Sequence, residues 1–217
     1  MRGDAIKTRV LSARIIPNAD AALLKALNAQ GGHCSFGIIT TDCDDVSYAA
    51  LDEATKKAQV QVVYARSMYA GSSNANTALA GEFMGILSAS DPEEVRCGLE
   101  AAVDFIEESG RFYSANADDS IVYFAHCISR TGSYLSKQAN IPEGGALAYL
   151  IAPPLEAMVG LDAALKAAQV DLRLFYGPPT ETNFAGGLLG GEQAACQAAC
   201  SAFARMVCDV ADAPFGY

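Results

Sequence analysis

Two His-Cys pairs, His33-Cys34 and His126-Cys127, and the cysteines Cys196 and Cys200, one helical turn apart, could bind a metal or act as nucleophiles. None is completed by its surroundings. A phosphate-gripping cysteine loop needs an arginine after five intervening residues, and Ser133 stands there after Cys127. Cys196 and Cys200 lie among alanines with no second ligand pair, so they are expected to be small core residues, and no metal site is expected. With two histidines in the chain, no Ser/His/Asp order and no glycine-rich nucleotide loop at a strand-helix junction, any catalysis would fall to carboxylates. The candidates are Asp42, Asp44 and Asp45, crowded into one turn, with Glu82 after one polar loop and Glu181 within another. A helix N-terminus welcomes acids, which accounts for Asp42 as a plausible N-cap.

The elements that must position these residues follow from an internal repeat. At a shift of 110 residues, Leu51-Asp52-Glu53-Ala54-Thr55-Lys56-Lys57-Ala58-Gln59-Val60 falls on Leu161-Asp162-Ala163-Ala164-Leu165-Lys166-Ala167-Ala168-Gln169-Val170, with seven of ten positions identical. The chain is two copies of one unit, 1–110 and 111–217. Each copy reads as a strand (Arg9 to Ile15; Ile121 to Ile128), a short helix (Ala19 to Asn28; Gly132 to Ala139) and a second strand (Ser35 to Thr40; Ala146 to Ala152). A helix ending near Ala58 or Ala168 follows, then a strand (Gln59 to Tyr64; Val170 to Tyr176). The loops after it, Ala70 to Ala80 and Gly177 to Ala185, are rich in turn formers. A last strand (Gly81 to Leu87; Ala185 to Leu189) and a last helix (Pro92 to Ser109; Gly191 to Ala211) close each copy, giving a small α/β sandwich, helices covering a short sheet.

Composition narrows the role. The 217 residues are 51% hydrophobic and 18% charged, which suits a globular core. Fifteen lysines and arginines against 25 acids give a net charge of -10, and no basic cluster exceeds Lys56-Lys57, so neither nucleic acid nor an anionic membrane surface is an expected partner. Seven cysteines without framework spacing fit a reducing cytoplasm. The longest apolar run, Ala146 to Leu155, is broken by Pro153-Pro154 and falls short of the roughly 18 residues a bilayer requires. No signal-peptide stretch opens the chain.

Several blocks carry a resemblance. Asp44-Asp45-Val46-Ser47-Tyr48, Val63-Tyr64-Ala65-Arg66-Ser67-Met68-Tyr69-Ala70-Gly71, Ser129-Arg130-Thr131-Gly132-Ser133-Tyr134-Leu135-Ser136, Ala148-Tyr149-Leu150-Ile151-Ala152-Pro153-Pro154-Leu155-Glu156-Ala157 and Gln193-Ala194-Ala195-Cys196-Gln197-Ala198-Ala199-Cys200 resemble the tandem-domain shell proteins of ethanolamine-utilisation bacterial microcompartments. The resemblance runs from about Val10 to Ala211. It implies two tandem, circularly permuted microcompartment domains of ferredoxin-like α+β fold, and a homotrimer forming a pseudohexameric tile beside other shell proteins. It further implies no enzymatic activity, no required cofactor, a place in the microcompartment shell within the cytoplasm, small acidic pores for ethanolamine and a gated central pore for larger metabolites or cofactors, with cobalamin a candidate cargo. Positions matching the small-pore lining are Asp44, Asp45, Glu82, Phe112, Tyr113, Thr182 and Asn183, with Tyr113 where relatives commonly carry tryptophan. Tyr69, Asn74, Asn76 and Phe184 are the implied gating-loop residues. Carboxylates and aromatic faces suit an ammonium group by charge and by the ring quadrupole. Two alternatives stay open at this point: a non-shell trimeric metabolite-binding regulator, and a carboxylate-dependent enzyme using Asp44, Asp45 and Glu82.

Overall fold

The computed structural model describes residues 1–68, 79–178, 180 and 182–216. They divide into two units, one of Lys7–Gly110 with Gly132–Leu135, the other of Met1–Ile6, Arg111–Thr131 and Ser136–Tyr217. The division departs from a plain cut at residue 110 at two places, the first six residues and the four from Gly132.

The first unit holds an antiparallel sheet in the order β2-β3-β5-β4, with β2 Val10–Ile16, β3 Ser35–Thr41, β4 Gln61–Ser67 and β5 Phe83–Ala89. Central β3 and β5 are almost wholly buried, whereas edge strands β2 and β4 are half-covered. Helices α2 (Asp44–Lys57) and α3 (Pro92–Glu108) pack on each other and on the sheet. Helix α3 starts as its sequence dictates: Asp91 accepts from the Glu93 amide at 2.7 Å, Pro92 fills the first turn, and Val95, Leu99, Ala102 and Ile106 form the buried stripe. Helix α1 spans only Ala21–Ala26, shorter than the expected Ala19 to Asn28. Asn28 takes positive φ and Asp20 caps the start, so both ends are fixed inside the apolar run.

The second unit repeats this plan with β7 Val122–Ile128, β8 Ala146–Ala152, β9 Val170–Tyr176 and β10 Ala185–Gly191, and with α5 Pro154–Ala167 and α6 Gln193–Asp212, while α4 Ser133–Ala139 has its first three residues in the first unit and the rest in the second. Two further strands, β1 Ala5–Lys7 and β6 Arg111–Ser114, extend its sheet to the order β1-β6-β7-β8-β10-β9. At three and four residues they are too short for a legible alternation. The Gly3 amide donates to Ser114 O at 2.8 Å, the Ser114 amide donates to Asp4 O at 3.0 Å, and Arg2 pairs with Asp212 at 2.5 Å. Along α6, Cys196, Ala199, Cys200, Phe203 and Val207 enter the core against Leu150, Leu161 and Leu189. Burial pushes the Cys196 thiol up to about 11 and raises Cys200 and Cys127 as well, so these thiols stay protonated at neutral pH. Among the described residues no helix is long and apolar enough to cross a membrane, and no group of three or more His, Cys, Asp or Glu is placed to hold a metal ion.

Candidate functional site

Asp44 and Asp45 open α2, where the helix dipole favours negative charge. The N-cap is Cys43, without a side-chain cap bond, and not the expected aspartate. Asp42 is drawn away because both its oxygens accept from Arg9, one from the backbone amide and one from Nε, each at 2.7 Å. In place of a cap, Ser47 Oγ donates to Cys43 O at 2.6 Å and stands 2.6 Å from Thr41 Oγ1, which fixes the turn from β3 into α2. Asp44 and Asp45 are only 9% and 8% exposed, so they are not part of a freely solvated face. The Asp45 amide donates to Asp44 Oδ1 at 2.9 Å. Burial, then the Asp45 charge, pushes the neighbouring Cys43 thiol up to about 12 and keeps it neutral.

Glu82 is brought to this turn by the backbone. It precedes β5 instead of beginning it, but its amide donates to Thr41 O at 2.9 Å and its carbonyl accepts from the Met68 amide at 2.7 Å. Gly81 makes the approach feasible: φ is +64°, and a Cβ there would lie 2.0 Å from Thr41 O. The residue is exposed, yet its carboxyl lies close enough to protein for partial desolvation to raise its pKa, with Asp44 and then Asp42 adding repulsion. Asp44 and Asp42 therefore act electrostatically on Glu82, a convergence that sequence spacing alone does not reveal.

The remaining candidates belong to the other unit. Phe112, on β6, is buried; its ring stacks on Phe124 at 5.4 Å and meets Phe184 edge-on at 6.0 Å. Tyr113, next along the strand, points to the opposite face and packs 6.0 Å from Tyr123. Burial is the main cause raising the Tyr123 hydroxyl to about 12. Thr182 and Asn183 sit in a turn that the sequence did not resolve and that Thr180 closes. The Thr180 hydroxyl donates to Phe184 O at 2.9 Å and accepts from the Phe184 amide at 3.2 Å, while the Asn183 amide donates to Thr180 O at 3.1 Å. Asn183 takes φ +61°, a conformation asparagine tolerates well. Tyr69, Asn74, Asn76 and Glu181 lie outside the described residues.

One structural residue escaped the sequence reading as a functional position. Asp52 is 1% exposed; its Oδ2 accepts from the Gly132 amide at 2.7 Å and its Oδ1 from the Leu135 amide at 2.8 Å. Ser133 N donates to Thr55 Oγ1 at 3.0 Å, and Tyr134 stacks over Tyr48 at 6.4 Å. Four residues from the second repeat are thereby held in the first unit.

A family model for the BMC domain matches residues 35–117. Its match begins at β3 and runs through β6. The fold and this match, with the relatives that follow, define the class, a bacterial microcompartment shell protein with tandem domains. Over all 217 residues the chain is 61% identical to the bacterial microcompartment shell protein EutL of Clostridium perfringens, each chain covered completely. EutL of Salmonella typhimurium is 46% identical over 211 residues, 97% of this chain and 96% of that one. The crystal structure of ethanolamine utilization protein EutL from Leptotrichia buccalis superimposes with a TM-score of 0.97 at 64% identity, covering 100% of both chains. The chain belongs to the EutL family of bacterial microcompartment shell proteins. Its place is accordingly the compartment shell, and its role a structural one exercised with other shell proteins.

Proposed function

We propose that this chain is a trimeric tile of an ethanolamine-utilisation compartment, with small acidic openings that admit the ethanolamine cation. Three chains of two repeats each would complete a ring of six domains by closed cyclic symmetry. The observation that supports the ligand class is the raised pKa of Glu82, caused by partial desolvation and then by Asp44 and Asp42. That repulsion marks a site of negative potential, which an ammonium group relieves. A solvated ion pair contributes about 1 kcal/mol and a partly screened one roughly 4, so a few such contacts bind weakly enough for release on the far side. On this reading the acids attract cargo and do not catalyse, no cofactor is needed, and cobalamin would be cargo of a gated central opening.

Calorimetric titration of ethanolamine into the wild type, Asp45→Asn and Glu82→Gln tests the proposal. Each substitution removes one charge at nearly constant volume, and both should weaken binding without unfolding the protein. Unchanged affinity in both variants refutes the acidic opening. Gating by the ligand adds a second expectation: amide exchange in the Thr180-closed turn should slow when ethanolamine is bound, and equal exchange in the two conditions rejects it.

A further inference from the structure

Glu82 owes its place to two backbone bonds, one to each flanking strand. Its amide donates to Thr41 O at 2.9 Å, and the end of β3 is itself fixed, since Thr41 Oγ1 lies 2.6 Å from Ser47 Oγ and donates to Cys43 O at 2.9 Å. Its carbonyl accepts from the Met68 amide at 2.7 Å, and β4 on that side is an edge strand. Ser67 stands opposite Phe83, and the Met68 bond makes theirs a pair without mutual hydrogen bonds, so the Ser67 amide faces away from β5. An edge rung of this kind frays unless something closes it. Here the Tyr48 hydroxyl reaches from α2 and accepts from the Ser67 amide at 3.0 Å, while the buried Ser67 Oγ finds no partner among the described residues. The Tyr48 ring is held in turn, edge-on to Phe83 at 4.9 Å and stacked with Tyr134 at 6.4 Å.

The second repeat has neither half of this arrangement. The 110-residue shift puts Met158 at the place of Tyr48, and the residue before β10, the counterpart of β5, is Phe184 where the first repeat has Glu82. The hydroxyl accompanies the acid. We propose that Tyr48 is a positioning residue of the cation site: by closing the last rung between β4 and β5 it sets where the Glu82 carboxyl stands relative to Asp44. Its hydroxyl acts through Ser67, Met68 and Glu82 in that order. The charged groups that bear on Glu82 are Asp44 and then Asp42, the latter paired with Arg9. Without the hydroxyl the Met68 bond opens more often, the carboxyl spends more time in water and farther from Asp44, and its pKa falls towards the ordinary 4.5. The proposal rests on the acidic-opening reading for its ligand alone, since the titration of Glu82 can be followed in the free protein.

Carbon-detected carboxyl NMR of the full-length chain and calorimetric titration of ethanolamine test it in wild type, Tyr48→Phe, Ser67→Pro, Glu82→Gln and Tyr48→Phe combined with Glu82→Gln. Tyr48→Phe deletes the acceptor and keeps both ring contacts. Ser67→Pro deletes the donor at an edge position where proline is tolerated, so the test stands should one of the two variants fold poorly. Both should lower the Glu82 pKa towards that of an exposed glutamate and weaken ethanolamine binding roughly 2- to 10-fold, the range one hydrogen bond commands. In the Glu82→Gln background, Tyr48→Phe should weaken binding by less than about 2-fold, because the residue it positions no longer carries charge. A Glu82 titration that is unchanged in either folded single variant overturns the positioning role. An equal loss from Tyr48→Phe with and without the Glu82 charge overturns it as well. A wild type that fails to bind ethanolamine overturns the acidic opening instead, and the Glu82 titration still decides what Tyr48 does.

Discussion

Removing the Asp52 carboxylate should loosen the segment it holds. In Asp52→Ala two buried amides, those of Gly132 and Leu135, lose acceptors at 2.7 and 2.8 Å. A buried donor left unsatisfied costs about 1–3 kcal/mol, so the gross penalty is about 2–6. An opposing effect exists. The Asp52 pKa is raised, first by burial, and the two amide bonds and Lys56 only partly offset that. The ionised carboxylate is therefore costly to bury, and deleting it returns part of the loss, leaving a net destabilisation of about 1–4 kcal/mol. Asp52→Asn keeps one acceptor and should lose less, about 1–3 kcal/mol. The sign with pH follows from the direction of the shift. Stability contributed by the Asp52 proton is complete below its ordinary value of 3.8 and is lost as pH rises through the higher folded-state value. Asp52→Asn should flatten that part of the pH profile. Urea unfolding gives the free energies, and amide hydrogen exchange at Gly132 and Leu135 locates the effect. If Asp52→Ala changes stability by less than about 0.5 kcal/mol and leaves both amides as protected as before, the carboxylate is not what holds the segment.

Gly81→Ala places a Cβ 2.0 Å from Thr41 O at φ +64° and should destabilise by more than about 1–2 kcal/mol, with ethanolamine affinity falling as Glu82 shifts; denaturant melts and calorimetry read the two effects. Glu82→Gln should weaken ethanolamine binding while making the fold as stable as wild type or more so above the ordinary glutamate pKa of 4.5, since the ionised carboxyl is disfavoured where it sits; a loss of thermal stability at pH 7 contradicts this. In the wild type, ethanolamine affinity should fall as pH drops through the raised Glu82 value, and the Gln variant should show a flatter profile by titration at several pH values. Thr180→Val removes a hydroxyl that both donates to and accepts from Phe184, so exchange of the Phe184 amide should accelerate while the melting temperature barely moves.

The alternation of apolar strands and capped helices was legible because the chain states it twice: strand β8 coincides with the expected Ala146 to Ala152, and α3 begins at the expected Pro92. The acidic character of the turn into α2, and the core placement of Cys196 and Cys200, also followed from residue type and neighbours. What sequence misassigned depended on partners remote in the chain. Asp42 has the composition of an N-cap, but Arg9, 33 residues away, competes for both oxygens and Cys43 takes the position. Strands β1 and β6 carry too few residues for a periodic signal and exist because each supplies the other's unpaired backbone. Asp52 and Asp162 are the same residue at the same place in the repeat, yet one is 1% exposed beneath two amides and the other has a 63% exposed side chain. Local pattern fixes where a strand or helix forms, since propensity and capping act over a few residues. Which acid is buried is settled by what arrives from 80 residues along the chain, and only the tertiary structure records that.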